Sequence, residues 1–570
     1  MWKYLHKLGY DFHLDASHYL TFEEALERVS SAGDVNQTQQ IDFQILALSE
    51  SIFNDATEFN SPIQLNISHI LPIQTTDPLN LQLYSQLIHL DLRTLRLRFE
   101  MVRQFNSSID VVLPLVNLGN SQSYVTQKLL AFRELIFHST KMRFFYDILD
   151  KTAVVCPQPT VSYNRLELAD RNEKRDKHPP HLNAPPKNIL LETAFGMAYS
   201  QLRTTDPRLF RQKKPLGTEP HFSILIDFKG EHVQGEGGPY RQFFTDVSRE
   251  LQQGGLPFII PCPNAQTKLG KNRDKFIASP NAKSDEELRM YRFLGQLMGM
   301  SVRTGVLMIL DLPSFVWKPL LGRSLNSEDL HSIDQSFYGT LQFLKHCSKE
   351  DLEGKDRKFF EKFEISLSDK STHLLIKNGN NMDVTYQNKD QYIKFAEAAR
   401  LNESKLQLEA MRKGLCDIIP EPLLNLLTWQ DLEWRVTGRP KIDIKLLKRH
   451  TEYSGVSENA HHIVFFWHVL HSFTQEERRA FIRFAWGQER LPATDLEFTR
   501  TGTRMLIKPY TGKGDPDAAF PKADTCFFNF MLPAYTSAEI LKDRLLFAIR
   551  TDADSMNADQ PQDDSQDSLW

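Results

Sequence analysis

The chain has 570 residues, of which 41% are hydrophobic and 25% charged, with a formal net charge of -4. That length exceeds what one core can organise, so roughly three to five folded units are expected, and the balanced composition belongs to proteins that bury enough apolar surface to offset chain entropy. Mixed charge without a basic excess excludes a field that gathers phosphate backbones, which makes proteins better partners than nucleic acid.

The opening residues, MWKYLHKLGYDFHLD, lack a basic stretch followed by an apolar run, and apolar stretches such as Val306 to Leu312 fall far short of a membrane span. A soluble intracellular protein, cytoplasmic or nuclear, is the expectation. Five cysteines, Cys156, Cys262, Cys347, Cys416 and Cys526, are scattered without CxxC spacing, which argues against a disulfide framework and against zinc.

Residues 1–155 read as a helical region of their own. Tyr84, Ile88, Leu92, Leu95, Phe99 and Val102 recur at steps of three and four within 81–105, and 125–149 is similar. No chemistry is visible there. Prolines at 157, 159, 179, 180, 185 and 186 surround a charged run and mark residues 156–187 as a linker unable to hold a continuous helix or a packed strand.

From Asn188 the pattern becomes α+β. Phe222 to Phe228 fits a buried strand, GEHVQGEGGP a glycine-rich turn, and Tyr240 to Leu251 a helix. Ser284 caps a predicted helix through Thr304, and Gly438 with Pro440 stops another. Beyond that stop, 463–473 and 474–486 read as two helices, the second opened by a Thr474-x-x-Glu477 capping box; Arg504 to Lys508 and Cys526 to Leu532 look extended. Thr536-x-x-Glu539 is the predicted cap of a last helix ending near Thr551, and the acidic, Ser- and Gln-rich residues 552–570 are expected to be disordered, with Trp570 at their end.

Cys526 stands where a polar loop, PKADT, meets an apolar strand, CFFNFML. The local sequence alone favours a buried, inert thiol. A wider set of motifs bears on it: GEGGPYRQFF, IVFFW, EERRAFIRFAWGQERLP, DTCFF and LPAYTS, in that order. With them, residues 188 to about 550 resemble a complete HECT ubiquitin-ligase domain, and IIPCPN, FLGQLMG, RKGL and DTCFF are most similar to its large HERC-like and giant members.

The resemblance implies two lobes: an amino lobe over 188–437, whose subdomain at 335–412 receives a ubiquitin-loaded conjugating enzyme (E2), and a carboxy lobe over 442–551 that carries the cysteine. The hinge falls at Gly438, Arg439, Pro440 and Lys441, which locally read just as well as a helix terminus. By position Tyr338, Leu341, Leu344, Tyr392 and Phe395 are candidate E2 anchors, each equally explained as core. Cys526 is the implied ubiquitin carrier, with Thr525 and Asp524 beside it. Many family members have His where this chain has Asp524, so an activated thiol is not expected there; Asp524 reads as an orienting group for an incoming lysine or as a solvated turn residue.

No metal or cofactor is expected. The histidines 461, 462, 468 and 471 lack companion ligands, GEGGP lacks the Lys-Ser/Thr of a phosphate loop, and the Lys441, Lys445, Lys448, Arg449 group reads as a solvated face. The function that the resemblance implies is a ubiquitin-protein ligase that holds ubiquitin as a thioester on Cys526. A non-catalytic scaffold of the same fold, binding E2 or ubiquitin, is the alternative, and a papain-like hydrolase lacks its signature.

Overall fold

Two apolar cores that stay separate organise the molecule: one built from residues between Phe105 and Val436, the other from residues between Ile442 and Ile549. The computed structural model describes residues 92–168, 193–215, 221–231, 237–252, 256–354, 361–525 and 527–555, with positions 44 and 46. The periodic stretch 81–91, most of the linker and residues 556–570 lie outside them.

Helices α1 (Leu92–Val112) and α2 (His138–Lys151) send Phe105, Phe145 and Leu149 into the same core as Leu432 and Val436. The described part of the helical region expected as a separate unit is thus built into the larger lobe. The helix expected over 125–149 is broken into Tyr124–Ala131, a 3-10 turn at Arg133–Leu135, and α2. Asn106 of α1 holds the break: Oδ1 accepts from the Phe137 amide at 2.7 Å, and Nδ2 donates to the Leu135 carbonyl at 2.9 Å.

Within the expected linker, β1 (Thr160–Tyr163) pairs in parallel with β2 (Leu225–Phe228), a correction to the sequence reading. The prolines at 157 and 159 precede TVSY without interrupting it, and its alternation buries Val161 and Tyr163 on one face. Next come α3 (Gly237–Gln252) and the antiparallel pair β3 (Ile259–Pro261) and β4 (Phe276–Ala278).

Helix α4 (Asp285–Thr304) starts at the predicted cap, where Ser284 and Glu287 satisfy each other's amides in a capping box. A smaller subdomain, with a core of its own around Leu341, Leu344, Phe363 and Tyr392, comprises α5 (Gln335–His346), the antiparallel β5 (Glu364–Ser366) and β6 (Thr372–Leu374), and α6 (Lys389–Leu401).

Helix α7 (Lys405–Ile418) then returns to cross α4 almost backbone to backbone. A Cβ on Gly414 would stand 1.7 Å from the Arg292 carbonyl oxygen, and one on Gly295 1.9 Å from that of Met411. Helix α8 (Trp429–Thr437) stops at Gly438, whose φ of 73° is open to glycine and costly for other residues.

The second core packs a four-stranded sheet, in the order β7 (Thr451–Tyr453), β8 (Met505–Pro509), β10 (Asn529–Leu532), β9 (Lys522–Asp524), against α9 (His461–Ser472), α10 (Gln475–Trp486) and α12 (Ala538–Ser555). Only the β9–β10 pair is antiparallel. Two expectations are corrected at α12. Its first turn is held by Ser537, whose Oγ accepts from the Ile540 amide at 3.2 Å, because Thr536 is drawn aside by Asp517. The helix also runs to Ser555, into the stretch expected to be disordered.

Overpacking a close helix crossing costs about 1–3 kcal/mol, so Gly414→Ala is expected to destabilise the larger lobe by that amount. Faster hydrogen exchange in α4 and α7, with α10 unchanged, is the check.

Candidate functional site

Strands β9 and β10 form a hairpin in which Asp524 faces Asn529, leaving a four-residue turn, 525–528, between them. Cys526 belongs to that turn and itself lies outside the described residues. Its neighbours are well defined. The Phe527 amide donates to the Asp524 carbonyl at 3.3 Å, closing the turn, and the Phe527 ring is 72% exposed. Phe528 is 2% exposed and stacks on Trp486 of α10, ring centroids 5.1 Å apart and planes within 13°.

The two phenylalanines part company because Phe528 has a φ of 53°, the left-handed region. That conformation costs on the order of 1 kcal/mol for a residue with a side chain. Burying the ring returns about 2 kcal/mol, and the Phe528 carbonyl accepts from the Leu506 amide at 3.0 Å, tying the turn to β8. Thr525 is exposed, its Cβ close to Gly487 at the end of α10, and half-buried Asp524 accepts a long hydrogen bond from Asn529 Nδ2 at 3.4 Å. A rigid base thus carries a turn with exposed residues on both sides of position 526.

The five candidate E2 anchors do not form one surface. Leu341, Leu344 and Tyr392 are buried in the subdomain's core, which corrects their reading as surface anchors: the apolar stripes of α5 and α6 face each other. Tyr338 is half-buried and stacked on His331 at 4.5 Å, and Phe395 is half-buried against the same core. Among the described residues, the exposed apolar side chains of this subdomain are instead Leu374, Met382 and Tyr386, on β6 and the loop after it. Helical periodicity could not flag them, because they lie on no helix.

The hinge residues run between the cores. Arg439 bridges to Leu491 and stacks its guanidinium over Trp434 at 4.4 Å. Beside them the lobes meet through charge. Helix α11 (Asp495–Thr501) of the smaller lobe inserts Glu497, wholly buried, next to Arg435 Nη1 at 3.1 Å and His138 Nε2 at 3.5 Å. His138 Nδ1 lies 2.7 Å from Asp431 Oδ1, and the ammonium of Lys141 binds the other Asp431 oxygen.

Burial alone would push the His138 imidazole down, but hydrogen bonds and charge from Asp431 and Glu497 outweigh it and raise it to about 9. Burial likewise opposes both carboxylates, yet Arg435 and His138 hold Glu497 down at about 2, and Lys141 with His138 holds Asp431 well below the carboxylate range. At the rim, Arg500 chelates Asp150 at 2.5 and 2.8 Å, and Arg490 joins Asp311 at 2.7 Å to Thr437 Oγ1 at 2.8 Å. The sequence carried no local sign of this junction, whose paired members His138 and Glu497 stand 359 residues apart.

Among the described residues no group of three or more His, Cys, Asp and Glu is placed to hold a metal, and no helix is long and apolar enough to cross a membrane.

Residues 245–558, more than half of the chain, match the model of the HECT-domain (ubiquitin-transferase) family. The chain belongs to the HECT family. It is 32% identical over 425 residues to human E3 ubiquitin-protein ligase HERC2, covering 73% of this chain and 8% of that protein. To human probable E3 ubiquitin-protein ligase HECTD4 it is 28% identical over 594 residues, covering 98% of this chain and 14% of the other. To E3 ubiquitin-protein ligase ptr1 of Schizosaccharomyces pombe it is 29% identical over 375 residues, covering 64% and 11%. The chain thus matches only a small part of the length of these relatives. HERC2 and HECTD4 agree with the subgroup suggested by the motifs.

Two outcomes follow for this HECT domain. Phe528→Ala is expected to destabilise the smaller lobe by about 3–5 kcal/mol, and Phe527→Ala by less than about 0.5 kcal/mol, compared by urea denaturation followed through Trp486 fluorescence. The second concerns pH. A raised imidazole stabilises fully below its ordinary value of 6.5 and loses that contribution as pH rises through about 9. The depressed carboxylates of Glu497 and Asp431 act above their ordinary values of 4.5 and 3.8 and fail only as pH falls below them. Burial keeps the nearby Tyr146 phenol neutral throughout. The thermal midpoint is therefore expected to fall between pH 6.5 and 9, and His138→Gln to flatten that fall.

Proposed function

We propose that this chain is the transferase part of a ubiquitin ligase, in which Cys526 takes ubiquitin from a conjugating enzyme as a thioester and delivers it to a lysine of a protein substrate. The observation that carries the reading is the hairpin turn: position 526 lies between exposed Thr525 and Phe527 on a base fixed by Phe528.

The chemistry asks little of the thiol. An ordinary cysteine is a few per cent thiolate at neutral pH and already strongly nucleophilic. Exchange of one thioester for another is nearly balanced in energy, so the rate rests on positioning. The sulfur attacks the incoming carbonyl, the carrier's thiolate leaves, and the carbonyl stays activated for the second step. There a lysine amine replaces the sulfur, forms an amide and gives up a proton. Asp524, half-buried two residues before the sulfur, is the carboxylate best placed in sequence to orient that amine.

For the conjugating enzyme, the exposed Leu374, Met382 and Tyr386 are the apolar side chains the small subdomain offers as anchors.

A conjugating enzyme charged with ubiquitin, mixed with this protein and run on a non-reducing gel, is expected to yield a thiol-sensitive adduct that Cys526→Ala abolishes. Binding without an adduct would make the protein a scaffold instead. Asp524→Asn is expected to leave loading within about twofold while slowing discharge to free lysine at least about tenfold.

A further inference from the structure

We propose that α2, which precedes the family-matched residues, is a clamp that fixes the smaller lobe by gripping α11, and that this grip restrains turnover at Cys526. The effect on turnover rests on the transfer reading above; the clamp itself rests on geometry.

The cores do not merge and one segment, 438–441, connects them, so the lobe arrangement is set by contacts across the junction. Helix α2 supplies two of the principal ones: His138 faces Glu497, and Asp150 chelates Arg500. Lys141, a turn beyond His138, neutralises Asp431, so that His138 is held between two carboxylates from different lobes. All three α2 residues lie ahead of the match at 245–558.

Helix α11 is firmly part of its own lobe. Phe498 sits in the smaller core and stacks on His450 at 4.4 Å, while Asp495 accepts from Arg449 at 2.9 and 3.0 Å. Leu496, on the same helix, packs against the larger core. Whatever holds α11 therefore holds the whole lobe.

The grip is made mostly of charge, which suits release. Buried Glu497 is tolerated because Arg435 and His138 offset its lost hydration, and separation would return all three to water. Such a junction favours two states, engaged or free, over graded sliding. A thiol that must meet first a carrier-bound thioester and then a substrate amine faces two partners in succession. One fixed lobe position serves at most one of them, so the clamp slows the cycle.

The test uses the full chain and hydrogen exchange of residues 493–501. Glu497→Gln keeps an oxygen for the Ala493 amide, which donates to it at 2.6 Å, but removes the charge. Exchange there is expected to rise at least about tenfold with α10 unchanged, and Asp150→Asn at the rim to give a smaller rise. Transfer of ubiquitin to lysine is expected to quicken at least about threefold in Glu497→Gln.

Exchange at the wild-type rate in both variants overturns the clamp. So does an equal rise in α10, since the lobe would then be unfolding and not detaching. Raised exchange with slower transfer overturns the restraint on turnover. If the wild-type protein forms no thioester, the transfer reading fails while the exchange result still decides the clamp.

Discussion

A carboxylate sealed from water is the constraint around which this molecule is arranged. Removing an ion such as that of Glu497 from solvent costs several kcal/mol, and the cost is met only if opposite charges arrive in the right places. Arg435 and His138 do so from two helices of the other lobe, with Lys141 and Asp431 balancing the histidine behind them. Apolar contact would tolerate many relative orientations of two lobes. A directional set of charges tolerates few, which is how a junction beside a four-residue connector specifies one arrangement.

Much of the architecture was readable because its signals are local. The capping boxes at Ser284 and Thr474, the glycine stop at 438 and the stripes of α9 and α10 each lie within a few residues of what they determine. Reading failed where a distant residue overruled a near one. Asp517, nineteen positions upstream, takes Thr536 and leaves the start of α12 to Ser537. Asn106 breaks a helix whose periodicity is uninterrupted. In the small subdomain the spacing of Leu341, Leu344 and Tyr392 marked an apolar face, but spacing cannot say whether such a face meets another helix or solvent.

Of the candidate site, the importance of Cys526 came from resemblance and not from its surroundings, since a thiol at the edge of an apolar strand is commonplace. The structure adds the platform. A sheet with three mutually parallel strands ends in one antiparallel hairpin, and the turn of that hairpin is pinned from below by an aromatic stack. Nothing in the described surroundings of the turn resembles an elaborate activating environment. That suits the proposed transfer, in which the arriving acyl group already carries its activation.

The left-handed Phe528 gives this turn a counting rule. Strand pairing fixes one end at Asp524 and the other at Asn529, and the reversal of backbone hand at 528 sends one ring inward while its neighbour stays out. Adding or removing one residue would shift every later side chain to the opposite side of the sheet. Variation at this tip should therefore take the form of exchanged residues and almost never of insertions or deletions, even though exposed hairpin tips are ordinarily where chains tolerate changes in length.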